Sequence, residues 1–239
     1  MKRTMSAALL LGLIASMASA ATVESVNTTS TNEVNGWLMK GVAFSVVGDE
    51  NSVMSLDEAL DGIFSVGDKV YIFNGTDYNI YLYSANLFDP GLPGFIGPGW
   101  GNASGFAVDV SVAAGQAYWI NTSASATYTT AGQVRESQFT INTVAGAFSM
   151  IANPYPAPTD LNDIAMTGVT VGDKVYLFNG TDYDIFVYSA NLFDPTVPGF
   201  VGAGWGNASG FVADTSVPIA EGFWLETAAA VQVDFPTVL

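Results

Sequence analysis

Residues 66–106 read VGDKVYIFNGTDYNIYLYSANLFDPGLPGFIGPGWGNASGF, and residues 171–211 read VGDKVYLFNGTDYDIFVYSANLFDPTVPGFVGAGWGNASGF. The second string is the first displaced by 105 positions without a gap, and 33 of its 41 positions are identical. Differences such as Ile72/Leu177, Tyr81/Phe186, Leu82/Val187 and Ile96/Val201 keep the apolar character. The chain is a tandem duplication, so whatever one copy builds the other builds again. Binding and structural modules tolerate such copying, whereas a catalytic centre is seldom repeated whole in adjacent halves of one short chain.

Inside each copy the pattern is that of short strands. Residues 70–73 and 78–83 are aromatic and β-branched runs separated by Asn74-Gly75-Thr76-Asp77, and Asn179-Gly180-Thr181-Asp182 repeats the separator. Asn-Gly supplies the positive backbone angles that a hairpin turn requires, which predicts a hairpin at each place. Tyr78, Ile80 and Leu82 point one way along the second strand and Asn79, Tyr81 and Tyr83 the other, which predicts cover on both faces. Upstream, Ser55-Leu56-Asp57-Glu58 has capping-box spacing and predicts a short helix through Asp61, with a weaker counterpart at Thr159 to Asp163. Glycine and proline elsewhere exclude long helices. The expected fold is all-β: two tandem repeats, each a small barrel or sandwich with one short helix.

Ala43-Phe44-Ser45 is matched to Ala147-Phe148-Ser149 at an offset of 104, and Tyr118-Trp119-Ile120 to Phe223-Trp224-Leu225 at 105. These matches place the first repeat at residues 35–134 and the second at 135–239, after a Thr-, Ser- and Asn-rich stretch at 21–34 that reads as a flexible lead-in or an edge segment. Residues 1–20 read as a signal peptide: Lys2 and Arg3, an apolar run, then Ala18-Ser19-Ala20 as a cleavage site. The run is shorter than the roughly 20 apolar residues a membrane span needs, so no integral membrane segment is expected after cleavage. Short, Gly- and Pro-broken strands also argue against an outer-membrane barrel.

Removal of the leader takes away two of the six basic residues and none of the 22 acidic ones, leaving 4 − 22 = −18. Such a chain repels nucleic acid, whose phosphates need lysine and arginine. With no cysteine there are no disulfides or lipidated thiols, and with no histidine the Ser-His-Asp and Cys-His arrangements and the commonest general base are gone. Asp68, Asp77, Asp89 and Asp109 do recur at Asp173, Asp182, Asp194 and Asp214, the raw material of a glycosidase pair. Turn formation accounts for Asp77 and for Asp89-Pro90, and no catalytic residue is expected.

The order of elements in each copy carries a resemblance. A Phe-Ser-x-(Val/Ile) strand (Phe44 to Val47, Phe148 to Ile151) precedes a helix, a Val-Tyr-x-Phe-Asn-Gly hairpin and an aspartate-proline and tryptophan loop. A closing strand follows at Tyr118-Trp119-Ile120 and Phe223-Trp224-Leu225. This resembles the small β-rich modules of exported and surface proteins of environmental bacteria, which read roughly W-N-L-I-S-x-P … V-Y-x-Y-(D/N)-G … W … P-G-x-G-Y-W-(I/V). Ala220-Glu221-Gly222-Phe223-Trp224 matches the closing motif, whereas Ala114-Gly115-Gln116-Ala117-Tyr118 lacks its second glycine, and Ser45 and Ser149 stand where asparagine is usual. The resemblance implies a non-enzymatic module that is secreted or held at the bacterial cell surface.

Three chemistries remain as candidates. Calcium prefers oxygen ligands, which Asn86, Asp89, Asn191 and Asp194 would supply, although no D-x-[DN]-x-[DN]-G loop is present. Trp100 with Asn102, and Trp205 with Asn207, lie in Gly-flanked loops where an indole would stack on a carbohydrate, or else fold back as a lid on the core. With only 12% charged residues, apolar surface is expected to stay outside two small domains, which points to self-association or to an extracellular polymer as partner. The sequence thus reads as an exported structural or interaction module that self-assembles, with a soluble carbohydrate-binding protein as the alternative.

Overall fold

The computed structural model describes residues 26–32, 36–46, 49 and 53–237. The expected leader at 1–20 lies outside them. The described residues are all-β, with several open sheets and a single short helix among them. The first half carries a five-stranded antiparallel sheet. Its order is β2 (Gly36–Lys40), β9 (Tyr118–Thr122), β5 (Lys69–Phe73), β6 (Tyr78–Phe88) and β7 (Phe95–Gly101). The second half repeats it as β12 (Phe148–Ala152), β19 (Gly222–Glu226), β15 (Lys174–Phe178), β16 (Tyr183–Phe193) and β17 (Phe200–Asn207). Smaller sheets cover one face: β1 (Val26–Asn32), β10 (Ala126–Gly132) and β4 (Asp61–Ile63), with β3 (Met54–Ser55) and β8 (Ser111–Val112), in the first half. Their counterparts are β11 (Phe139–Asn142), β20 (Gln232–Phe235) and β14 (Ala165–Thr167), with β13 (Thr159–Asp160) and β18 (Ser216–Val217). Of the two readings of residues 21–34, the edge segment is the one the described part takes: β1 stands at the edge of its sheet and pairs with β10 over seven positions.

Both hairpins form where expected, with Phe73 opposite Tyr78 and Phe178 opposite Tyr183. Only glycine takes the positive angle (φ 101° at Gly75 and at Gly180). Asn74 contributes its side chain instead, Oδ1 accepting from the N–H groups of Thr76 (3.2 Å) and Asp77 (2.9 Å). The capping box is also present: Ser55 caps α1 (Leu56–Ala59) and Glu58 reaches back to its N–H. The helix is shorter than expected because Asp61 already begins β4. The second half has no helix at the equivalent place. There Asp160 Oδ1 accepts from Asn162 N–H at 2.8 Å and holds a turn.

Strand register also corrects the matching of the copies. Lys40 lies opposite Tyr118 and Ile151 opposite Phe223, so Trp37, Met39 and Lys40 correspond to Phe148, Met150 and Ile151 at an offset of 111. Ring contacts agree: Trp37 lies 4.9 Å from Tyr71, and Phe148 lies 6.1 Å from Tyr176. Phe44 is not the partner of Phe148.

Alternation splits each five-stranded sheet into two apolar faces. Val70, Ile72, Tyr118 and Ile120 face inward with Met54, Leu56 and Val112, and Val175, Phe223 and Leu225 do the same in the second half. The opposite faces of the two sheets meet each other around Met39, Ala117, Trp119, Met150 and Ala152. Contacts are reciprocal, as in an isologous interface. Trp119 meets Phe178 edge-on at 5.0 Å, and Trp224 meets Phe73 at 5.0 Å. Gly41 N–H donates to the carbonyl of Ala220 (2.8 Å), and Ala152 N–H to that of Gly115 (2.9 Å). At the centre a Cβ on Gly222 would stand 2.9 Å from the Cβ of its own counterpart, Ala117. A methyl group at both positions would crowd the seam, which accounts for the motif's second glycine being kept at Gly222 opposite Ala117.

Candidate functional site

The duplicated Gly-Trp-Gly-Asn loop ends β7 and β17. Trp100 and Trp205 are each 2% exposed, which corrects their reading as a carbohydrate platform. Trp100 packs edge-on to Phe64 (4.9 Å) and Tyr83 (5.3 Å), and Trp205 to Tyr188 (5.4 Å). The backbone of each is clamped from across the sheet. Asp57 of α1 accepts from Trp100 N–H at 3.2 Å, and Asn162 accepts from Trp205 N–H at 2.7 Å. The glycines serve this packing and not a ligand: a Cβ at Gly101 would meet Leu87 Cδ2 at 2.4 Å, and one at Gly206 the Phe211 carbonyl at 2.4 Å. Asn102 and Asn207 are likewise occupied. Asn102 Oδ1 accepts from the N–H groups of Ser104 (2.9 Å) and Phe106 (3.1 Å), and Asn207 repeats both bonds to Ser209 and Phe211.

Of the calcium candidates, Asp89 and Asp194 fall in turns at the tips of the β6–β7 and β16–β17 hairpins, whereas Asn86 and Asn191 lie within β6 and β16. Asp89 Oδ1 accepts from Gly91 N–H (2.8 Å), and Asp194 Oδ1 from Thr196 N–H (2.8 Å) and Oγ1 (2.7 Å). The Thr196 bonds, side chain first, hold the Asp194 carboxyl below its ordinary value. Asn86 and Asn191 are exposed, and their N–H groups donate to Ser84 and Ser189 Oγ at 3.3 Å each. Among the described residues no three acidic side chains gather closely enough to hold an ion. Asp68 and Asp173 are buried and also committed: Asp68 accepts from Ser65 and Ser123 N–H, and Asp173 from Thr170 and Ala228 N–H.

What the loops do present is apolar. Register shifts at Ser84/Leu87 and Leu87/Phe88, repeated at Ser189/Leu192 and Leu192/Phe193, turn the long hairpins. Leu87 and Leu192 go into the core while the phenylalanines come out. Phe95 is 71% and Phe200 69% exposed, each beside a second ring, Phe88 (6.4 Å) or Phe193 (6.3 Å). Phe106 and Phe211 complete the two clusters at 5.5 and 5.3 Å. The sequence carried this signal as apolar residues inside a Gly- and Pro-rich loop that the two copies share.

A second aromatic surface lies where the halves meet. Phe73, Phe148, Tyr176, Tyr183 and Trp224 line an open cleft of about 700 Å3. Beside it, sharing Gly146, Ala147 and Phe148, is a smaller depression of about 390 Å3 lined by Thr170, Asp173, Glu226 and Thr227. Tyr176 Oη donates to Glu226 Oε2 at 2.5 Å and Lys174 Nζ to the same oxygen at 3.1 Å. The Tyr176 bond, aided by Lys174, holds the Glu226 carboxyl below its ordinary value. No described helix is long and apolar enough to cross a membrane. No protein-family model, curated protein or solved structure matches the chain.

Proposed function

We propose that the protein is an exported, non-enzymatic structural and interaction module of the bacterial cell exterior that assembles through its two phenylalanine ends. The observation that carries this reading is the pair of exposed clusters, Phe88-Phe95-Phe106 and Phe193-Phe200-Phe211, displayed by hairpins of the same design. Exposed apolar rings cost solubility and persist in a soluble chain chiefly where a partner covers them. Two such patches on one molecule allow each subunit to join two neighbours, as a fibre or layer requires. Strong net negative charge directs association to these ends, where each tip carries a single carboxylate, Asp89 or Asp194, already bonded to its own turn. Assembly by this route needs no calcium.

Light scattering after size exclusion on residues 21–239 tests the reading, with calcium and with chelator. The expected mass is well above the 25.0 kDa of the full chain in both conditions. Phe95→Ser with Phe200→Ser returns it to a monomer with unchanged circular dichroism. A wild-type chain that stays monomeric at all concentrations would refute assembly, and one that assembles only with calcium would move the explanation to metal at the Asp89 and Asp194 turns.

A further inference from the structure

We propose that the aromatic cleft between the two halves binds a neutral saccharide chain. The cleft is separate from the tryptophan loops, which are core, and from the phenylalanine tips. A volume of about 700 Å3 with a predominantly apolar lining and a few fixed polar groups is the usual form of a small-ligand site. Here Phe148 is 48% exposed and packs on the Tyr176 ring (6.1 Å) and edge-on to the Trp224 ring (6.0 Å), so three π-systems converge at the cleft. Such surfaces suit the C–H faces of a pyranose, an apolar plane with hydroxyls at its edge.

The polar groups stand at one end of the aromatic floor. Tyr176, Glu226 and Lys174 form a cluster in which anion and cation are already paired. Tyr176 lines the cleft and Glu226 the adjoining depression, and Lys174 already pairs with Glu226, so no unpaired charge of this cluster awaits an ionic ligand. Around it the chain is strongly acidic, which repels phosphates, sulfates and uronates. The smaller depression past Phe148 continues the path, so an elongated ligand crosses Phe148 from an apolar compartment to a polar one. An extended neutral glycan meets all three conditions. The first half keeps an exposed aromatic at the corresponding place, Trp37 (46% exposed) beside Tyr71, although the residue type differs and Asn121 replaces Glu226.

Titration of the mature chain with cellohexaose, xylohexaose, mannohexaose and chitohexaose, read by tryptophan emission and calorimetry, tests the site, with Trp224 as the reporter in the cleft. At least one of the four is expected to bind. Phe148→Ala with Tyr176→Ala is expected to weaken that binding about tenfold or more, and Tyr176→Phe, which removes only the hydroxyl and is conservative for folding, about fivefold. Phe95→Ser with Phe200→Ser leaves it unchanged, which separates the cleft from assembly. No binding by any of the four at millimolar concentration overturns the proposal, as does binding that survives both cleft variants. A polyproline peptide that binds where the glycans do not, and is lost with Phe148 and Tyr176, would replace the saccharide with a peptide.

Discussion

Trp119→Ala is expected to destabilise the chain by about 3–5 kcal/mol, the range for removing a large aromatic from a packed interior. Trp119 is 7% exposed and belongs to the first half, yet its neighbours include Phe178 (5.0 Å) and Tyr183 (6.4 Å) of the second. Truncation opens a cavity in the seam and not in either separate core. Trp224, its counterpart, contacts Phe73 (5.0 Å) and Tyr78 (6.5 Å) from the other side but is half-buried, so Trp224→Ala is expected to cost less. Urea denaturation followed by circular dichroism measures both. Because adjacent residues of the two sheets share this seam, wild type should unfold in one transition and the Trp119 variant at a lower midpoint. A loss below about 1 kcal/mol for Trp119→Ala would mean that the seam contributes little and that each half stands alone.

These expectations show which parts of the molecule the residues disclose. Asn74-Gly75 and Asn179-Gly180 announce their hairpins because a turn is a local event, decided by one positive φ and one side-chain acceptor. Ser55 and Glu58 announce α1 for the same reason. The equivalence of Trp37 with Phe148 was not legible, since a recurring Ala-Phe-Ser string suggested another pairing. Only the ladder to β9 and β19 reveals it, through partners 70–86 residues away. Burial of Trp100 and Trp205 was legible as one of two readings, the lid on the core, and it is the one the fold takes. Glycine beside tryptophan permits a ligand or a neighbour to come close, and the choice is made by Leu87 and Leu192, which bulges in the hairpins drive inward. The cleft was illegible because its walls come from both halves. Phe73 and Trp224 lie 151 positions apart and meet only through the reciprocal seam.

Lys40→Ile at neutral pH is expected to cost about 3–5 kcal/mol, whereas Lys40→Ile combined with Glu221→Gln is expected to recover nearly all of it. Lys40 and Glu221 pair across the seam with side chains only 13% and 11% exposed. Removing the cation leaves a carboxylate charged, buried and alone. The molecule itself supplies the neutral alternative: at the reciprocal position the bridge Lys40–Glu221 is replaced by Ile151–Gln116. The double variant therefore copies onto one side of the seam what the other side already contains. Burial pushes the Glu221 carboxyl above its ordinary value, against the pull of Lys40. A raised carboxyl pKa means that the folded state holds its proton more tightly than the unfolded state. The stability it contributes is complete below the ordinary carboxyl value and is lost as pH rises through the raised one. Glu221→Gln alone should destabilise as well, because it leaves the shielded Lys40 ammonium without its counter-ion, and the burial cost that Glu221 no longer carries offsets only part of that loss. In Lys40→Ile the opposing pull is gone, and the deficit relative to wild type should shrink as pH falls from 7 towards 5. Glu58 and Glu226, whose carboxyls are lowered, act with the opposite sign, but they are common to all variants and cancel in the comparison. Urea midpoints at pH 7 and 5 for the four proteins measure the cycle. A deficit for Lys40→Ile that grows on acidification, or a double variant no better than the single, would show that Lys40 acts through its packing against the seam and not through its charge.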